Sequence, residues 1–228
     1  MRKTLIILFG APGSGKGSLG DKIREQLVND KGMTAAEISY ISTGDLLREE
    51  IAAQSELGME ISQIVNSGKL VSDEIVATLV EKALSHSDEF VGSLCEKDPN
   101  RRIILLDGYP RTEAQRLALA NMLQDKAMFV VAVKRNTPFD VIKKRVSERR
   151  VCKNCKTTHL ASDGKCPKCG GESIIRKDDA VIEQRLVEYE TNTAPVWNKL
   201  ALICDSMQTF DGMDDADAVA KWIVKKYF

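Results

Sequence analysis

Aromatic residues are scarce in this chain, 5% of 228 residues, histidine occurs twice, and neither sign of charge is in excess, with 33 Lys and Arg against 33 Asp and Glu. Each shortage excludes something. A general polyanion binder shows a basic surplus, and a single-strand binder interleaves basic and aromatic side chains, so neither is expected here. No run approaches the roughly 18 apolar residues a membrane-spanning helix needs. The opening MRKTLIILFG has the basic lead and apolar run of a secretory leader. That run is short and meets a glycine-rich turn where a leader would have a small-residue cleavage site, so it reads as a buried strand of a cytoplasmic protein. In that compartment clustered cysteines suit metal ligands better than disulfides.

What is present is the composition of one ordinary globular domain with elaborations, 43% hydrophobic and 29% charged. Short apolar runs suited to strands lie at Thr4–Phe9, Glu37–Ile41, Ile103–Leu106 (ending on Asp107), Met128–Val133 and Met207–Phe210. Helical patterns fill the intervals: Lys16–Asn29, Leu46–His86 with breaks near Gly58 and Gly68, a long helix over Asp179–Leu202, and a last one from Asp215. Alternation of this kind predicts an α/β fold, a five-stranded parallel sheet with helices on both faces and ligands at the carboxyl ends of its strands.

The strongest local signal is Gly10-Ala11-Pro12-Gly13-Ser14-Gly15-Lys16, between a strand and a helix. Glycines allow the backbone to wrap a phosphate with its N–H groups inward, the helix N-terminus adds positive potential, and Lys16 reaches the outer phosphates. A glycine-rich turn with a surface lysine is the bland alternative, and the strand–loop–helix context disfavours it. The general motif has Ser or Thr after the lysine to hold magnesium; here Gly17 follows, with Ser18 one place later.

Six stretches in order resemble the adenylate kinases, within the nucleoside monophosphate kinases. They are GAPGSGKGS, ISTGDLLR, ELGMEISQIVNSGKLVSDE, ILLDGYPRTEAQ, the RVSERRVC and IIRKDD that bracket the cysteines, and QRLVEYETNTAP. The resemblance spans residues 4–228. It implies a P-loop three-layer core (1–41, 72–148, 178–228), a helical AMP-binding flap (42–71) and a lid (149–177). It implies reversible Mg²⁺-dependent transfer of the terminal phosphoryl group of ATP to AMP, giving two ADP, by a monomer. Gly13, Ser14, Gly15, Lys16, Gly17, Ser18, Arg145, Arg149, Thr158 and His159 would meet ATP. Thr43, Arg48, Lys69, Leu70, Val71, Gly108, Tyr109, Pro110, Arg111, Gln115, Arg176 and Arg185 would meet AMP. Lys16, Arg111, Arg149, Arg176 and Arg185 would hold the transferring phosphates, with Asp178 and Asp179 ordering them, and Asp107 would organise hydrated Mg²⁺. Arginine suits such sites because its fork stays charged and clamps phosphate bidentately. Arg101, Arg102 and Arg116 read as surface residues and His86 as structural. The spacing between RKDD and RLVEY is shorter than the family's, which bears on the register of Arg185 against Arg176.

Cys152-x-x-Cys155 and Cys166-x-x-Cys169 form a Cys₄ pattern. Four thiolates complete zinc's tetrahedral shell with no open position, so the metal should be structural and brace a compact lid. Cys95 and Cys204 have no partner pattern. His159 is either a donor-nucleotide contact or a lid-surface residue. Other readings stay open: a GTP donor or a UMP or CMP acceptor, a zinc-ribbon nucleic-acid binder, and a nucleotide-binding scaffold without turnover.

Overall fold

The computed structural model describes residues 3–92, 102–124, 126–155, 157–176 and 179–228. Cys95, Arg101 and Asp178 of the sequence reading lie outside them. Five strands, β1 (Thr4–Phe9), β2 (Ile38–Ser42), β3 (Ile103–Asp107), β4 (Phe129–Asn136) and β8 (Ser206–Asp211), pair in the order β2-β3-β1-β4-β8, and every pairing is parallel.

All six residues of β1 are buried, because the sheet is covered on both faces and successive side chains point to opposite sides. Leu5, Ile7 and Phe9 join one core with Ile104, Leu106 and Ala132, beneath α2 (Thr43–Ala52), α3 (Glu56–Asn66), α4 (Asp73–Gly92), α5 (Glu113–Leu123) and α8 (Val196–Lys199). Ile6 and Leu8 join the other, with Leu105, Val131 and Val133 against α1 (Lys16–Lys31) and α9 (Ala216–Tyr227). Each fully buried Leu or Ile contributes about 1.5–3 kcal/mol, so a strand without a polar face is stable only in such a three-layer stack.

Two expected helices are cut differently from the sequence pattern. The break in the Leu46–His86 region falls at Ala53–Ser55, where Gln54 takes φ 54°, and not at Gly58. Gly58 sits inside the first turn of α3, where a Cβ would overlap the Glu50 carbonyl oxygen and lie 3.0 Å from its carbon. The glycine is there for the close approach of α3 to α2, a tertiary demand. The stretch Asp179–Leu202 is not one α-helix. It runs as α7 (Ile182–Glu188), a π segment over Tyr189–Thr193, then α8. Pro195 has no N–H to give and its ring crowds the preceding turn, and the Ala194 N–H donates to Tyr189 O at 2.7 Å, five residues back.

A second sheet stands between α6 (Phe139–Glu148) and α7. Its strands β5 (Arg149–Cys152), β6 (Thr158–Leu160) and β7 (Ser173–Ile174) pair antiparallel in the order β6-β5-β7.

Candidate active site

Between β1 and α1 the chain bends through Gly10, Gly13 and Gly15, all at positive φ, and α1 opens on Lys16. The Lys16 Nζ turns back into this loop and donates to Gly10 O and Ala11 O, both at 2.9 Å. Burial of that ammonium, with Asp107 partly opposing it and Arg111, Arg185 and Arg149 adding repulsion, pulls its pKa down to about 8. Those influences define the centre. The end of β3, the loop after it, β5 and α7 bring one carboxylate and three guanidinium groups to bear on a single lysine. Ser14 is fully buried, its hydroxyl has no partner among the described residues, and its carbonyl accepts from Thr137 Oγ1 at 3.1 Å, tying the loop to the end of β4. Gly17 and Ser18 are exposed in the first turn.

Asp107 ends β3 and accepts a 2.9 Å hydrogen bond from the Tyr40 hydroxyl. Burial, with the Asp107 carboxylate next, pushes the Tyr40 phenol far above its usual value, so the hydroxyl remains a donor. After Asp107 the chain turns at Gly108 (φ 81°), where a Cβ would come 2.6 Å from Thr43 Oγ1 and 2.8 Å from Arg111 Nη2. Gly108 O accepts from Thr43 Oγ1 at 3.0 Å and from Arg111 Nε at 2.8 Å. The Tyr109–Pro110 peptide is cis, and Tyr109 is buried. Gln115 is buried too: its Oε1 accepts from the Arg111 N–H and its Nε2 donates to Asp73 Oδ1, each at 2.8 Å. Thr43, Gly108, Arg111 and Gln115 therefore form one bonded group at the carboxyl ends of β2 and β3.

Arg48 is separate from that group, paired with Asp45 at 2.6 Å on the exposed side of α2. Lys69, Leu70 and Val71 lead from α3 into α4, with Lys69 exposed and Val71 buried. Arg149 opens β5 and grips the buried Asp179 through both Nε and Nη2. Arg176 follows β7, half-buried, and its carbonyl accepts from the Asp179 N–H at 3.1 Å. Arg185 lies in α7, close enough to Lys16 to influence it despite the shortened spacing before it. Arg145 donates to Gly212 O from both terminal nitrogens at 3.1 Å.

The Sγ atoms of Cys152, Cys155, Cys166 and Cys169 all lie within 4.8 Å of one another. The Thr157 hydroxyl and amide hold the Cys155 thiol down to about 6. Against the Gly171 amide, the neighbouring Cys155 and Cys152 push Cys169 up to about 12. Four thiols this close cannot all ionise without a cation among them, and with one they make a closed soft-ligand site. Thr158 is exposed on β6, while His159 faces inward, Nε2 2.6 Å from Ser173 Oγ and Nδ1 2.9 Å from Leu160 O.

Two arginines read as surface residues are not. Arg102 and Arg116 are buried, and Arg116 is clamped by Glu113 at 2.8 and 3.1 Å, which lets a charge be covered. Sequence reasoning also missed Tyr40, Asp73 and Arg135. Asp73 stands inside a motif already singled out, VSDE, but its partner Gln115 is 42 residues away. Arg135, buried at the end of β4, donates to Gly212 O at 2.9 Å and Asp214 O at 2.8 Å, a role no spacing announces.

Residues 8–201 match the family model described as adenylate kinase. The chain is 37% identical over 228 residues to a protein named adenylate kinase from Thermosipho melanesiensis, covering 96% of this chain and 97% of the relative. It is 35% identical over 230 residues to one of that name from Archaeoglobus fulgidus, covering 96% and 95%. A relative of the same name from Clostridium beijerinckii is 36% identical over 200 residues, covering 84% and 83%.

Proposed function

The chain belongs to the adenylate kinase family, and we propose that it transfers the terminal phosphoryl group of ATP to AMP, reversibly, giving two ADP. The observation that carries this reading is the convergence on Lys16 of Asp107, Arg111, Arg149 and Arg185 from separate elements, at the mouth of a glycine-rich loop. Phosphoryl transfer asks a protein for in-line positioning and for cationic cover of the equatorial oxygens, and little else.

Lys16 and the loop amides of Gly13–Ser18 would take the β- and γ-phosphates of ATP, with Lys16 leaving the Gly10 and Ala11 carbonyls for phosphate oxygens. Arg145, Thr158 and His159 are read toward the donor nucleoside. Residues 42–71 are read as the acceptor flap, contributing Thr43, Arg48 and the 69–71 backbone. Arg111, Arg176 and Arg185 would hold the AMP phosphate, and Gln115 its base. An oxygen of that phosphate bonds to the γ-phosphorus as the bond to the β–γ bridging oxygen breaks, so no proton need move. Residues 149–177 are read as a lid whose descent carries Arg149 onto the phosphates and excludes water. The Arg149–Asp179 pair holds that side chain ready, with Asp178 assigned beside it.

Asp107 suits an outer-shell magnesium carboxylate, since it ends a strand beside Lys16 and is oriented by Tyr40. Bound with ATP, Mg²⁺ would neutralise charge on the β- and γ-phosphates. The four cysteines fit zinc, which would tie the β5–β6 and 166–169 turns together and supply the stability so small a sheet lacks. We place the protein in the cytoplasm as a monomer. Among the described residues no helix is long and apolar enough to cross a membrane.

The test is coupled measurement of ADP from ATP and AMP, with and without Mg²⁺, against GTP as donor and UMP and CMP as acceptors. Mg²⁺-dependent turnover that needs AMP is the expected result. Faster turnover with UMP or CMP would refute the acceptor, and nucleotide binding without turnover would refute the enzyme.

A further inference from the structure

A glutamine amide has a donor end and an acceptor end of nearly the same shape, and the end offered to a base decides which base is accepted. In this protein both ends of the Gln115 amide are already committed. Oε1 accepts from the Arg111 N–H at 2.8 Å, and Nε2 donates to Asp73 Oδ1 at 2.8 Å. A backbone N–H can only donate and a carboxylate can only accept, so neither partner tolerates the amide turned end for end. Turning it would break two hydrogen bonds, one of them to a charged acceptor, and set N–H against N–H and oxygen against oxygen.

The lock is itself held. The same Asp73 Oδ1 accepts from Thr112 Oγ1 at 2.9 Å, and Thr112 Oγ1 accepts from the Gln115 N–H at 3.2 Å, closing a ring of three side chains at the starts of α4 and α5. Gln115 is 1% exposed, so solvent cannot stand in for a lost partner. What remains of its capacity is the second N–H of Nε2 and the second lone pair of Oε1, with their order set by Asp73 and the Arg111 backbone.

We propose that Asp73 is a specificity-determining positioning residue: it fixes the Gln115 amide so that the acceptor site takes bases with an exocyclic amine beside an unprotonated ring nitrogen. Adenine has that edge at N6 and N1. Hypoxanthine and guanine reverse it, with a carbonyl beside a ring N–H, and require the turned amide that Asp73 forbids. With the phosphate read onto Arg111, Arg176 and Arg185, the base reaches Gln115 from one direction. The inference rests on reading Gln115 as the base-facing residue of the acceptor site.

The experiment is kcat/KM for AMP and for inosine monophosphate in the wild type, Asp73→Asn and Asp73→Ala, alongside thermal unfolding of each. Asparagine has the shape of aspartate but can turn its own amide to accept or donate, so it removes the charged one of the two constraints on Gln115 while keeping the packing, and leaves the Arg111 N–H alone to oppose the turned amide. The AMP-to-inosine-monophosphate ratio should fall by about tenfold in both variants, the scale of one buried hydrogen bond to a charged acceptor. A merely structural role would lower both substrates together and leave the ratio alone. A ratio within twofold of the wild type in a folded Asp73→Asn protein overturns the inference while leaving the acceptor reading intact. A wild type that does not discriminate between the two substrates, or does not use AMP, overturns the reading of Gln115 itself.

Discussion

The fold accommodates the charge of Lys16 at a cost, and this makes a stability prediction with a definite sign. Among the described residues its Nζ has two loop carbonyls and the field of Asp107 to set against burial and three arginines, and its pKa drops from 10.5 to about 8. Below pH 8 both the folded and unfolded chains hold the proton, and the folded one does so at a cost. Between pH 8 and 10.5 the unfolded chain keeps the proton and the folded chain sheds it, so raising the pH favours folding. A difference of that size corresponds to roughly 3 kcal/mol. The perturbation is Lys16→Met, which fills similar space without a charge. Urea unfolding of both proteins at intervals from pH 7 to 10.5 isolates the effect as a double difference, in which other titrating groups cancel. The wild type should gain roughly 3 kcal/mol on the variant across that range. In parallel, kcat/KM for ATP, which reports the free enzyme, should fall as pH rises through about 8, because a neutral lysine no longer draws the phosphates. A pH-independent gap between the two proteins would refute the account of a destabilised cation, whatever the loss of turnover in the variant.

Removal of the metal by a strong chelator should lower the melting temperature and expose the β5–β7 amides to hydrogen exchange, with ATP affinity changing only a few-fold; native mass spectrometry finding no metal and four free thiols would defeat this. Gly58→Ala should destabilise the protein by about 1–2 kcal/mol, since overpacking against the Glu50 backbone costs about 1–3 kcal/mol and the better helix propensity of alanine returns at most about 1. A more stable variant in chemical denaturation would show that α2 and α3 separate freely. Tyr40→Phe removes only the hydroxyl on Asp107 and should raise the Mg²⁺ concentration needed for half-maximal rate by about tenfold, the scale of one charge-assisted hydrogen bond; an unshifted midpoint in titrations at fixed ATP would dismiss Tyr40 as a positioning residue.

The parts legible in the sequence are those whose physics is local. The Gly10–Lys16 loop was readable because each glycine answers a backbone requirement within a few residues, and the two Cys-x-x-Cys pairs because ligand spacing is a short-range constraint. The five strands were readable from apolar runs because each is covered on both faces. What failed depends on partners far along the chain. Gly58 looked like a helix break because the Glu50 carbonyl that demands it is invisible in a one-dimensional pattern. Asp179–Leu202 reads as one long helix through Pro195 because the pattern gives no sign that the Tyr189 carbonyl is taken by Ala194. Arg102 and Arg116 looked like surface charges because the cover that buries them comes from tertiary packing. Tyr40 is 67 residues from Asp107, and Asp73 is 42 from Gln115. No local spacing rule reaches that far.

The order of the strands also bears on how this chain is made. β1 is central, but its neighbours β3 and β4 begin at residues 103 and 129, and β2 pairs with β3. β1 and β2, the only described strands before residue 103, do not touch each other in the sheet. A ribosome that has released the first 90 residues has therefore released the whole phosphate loop and most of four helices without one strand pair to anchor them. The sheet can begin only when β3 emerges to join β2 to β1, and the loop gains the Thr137 contact at Ser14 later still. During synthesis both apolar faces of β1 must wait, and that interval, set by topology, is when the nascent chain most needs shielding from its neighbours.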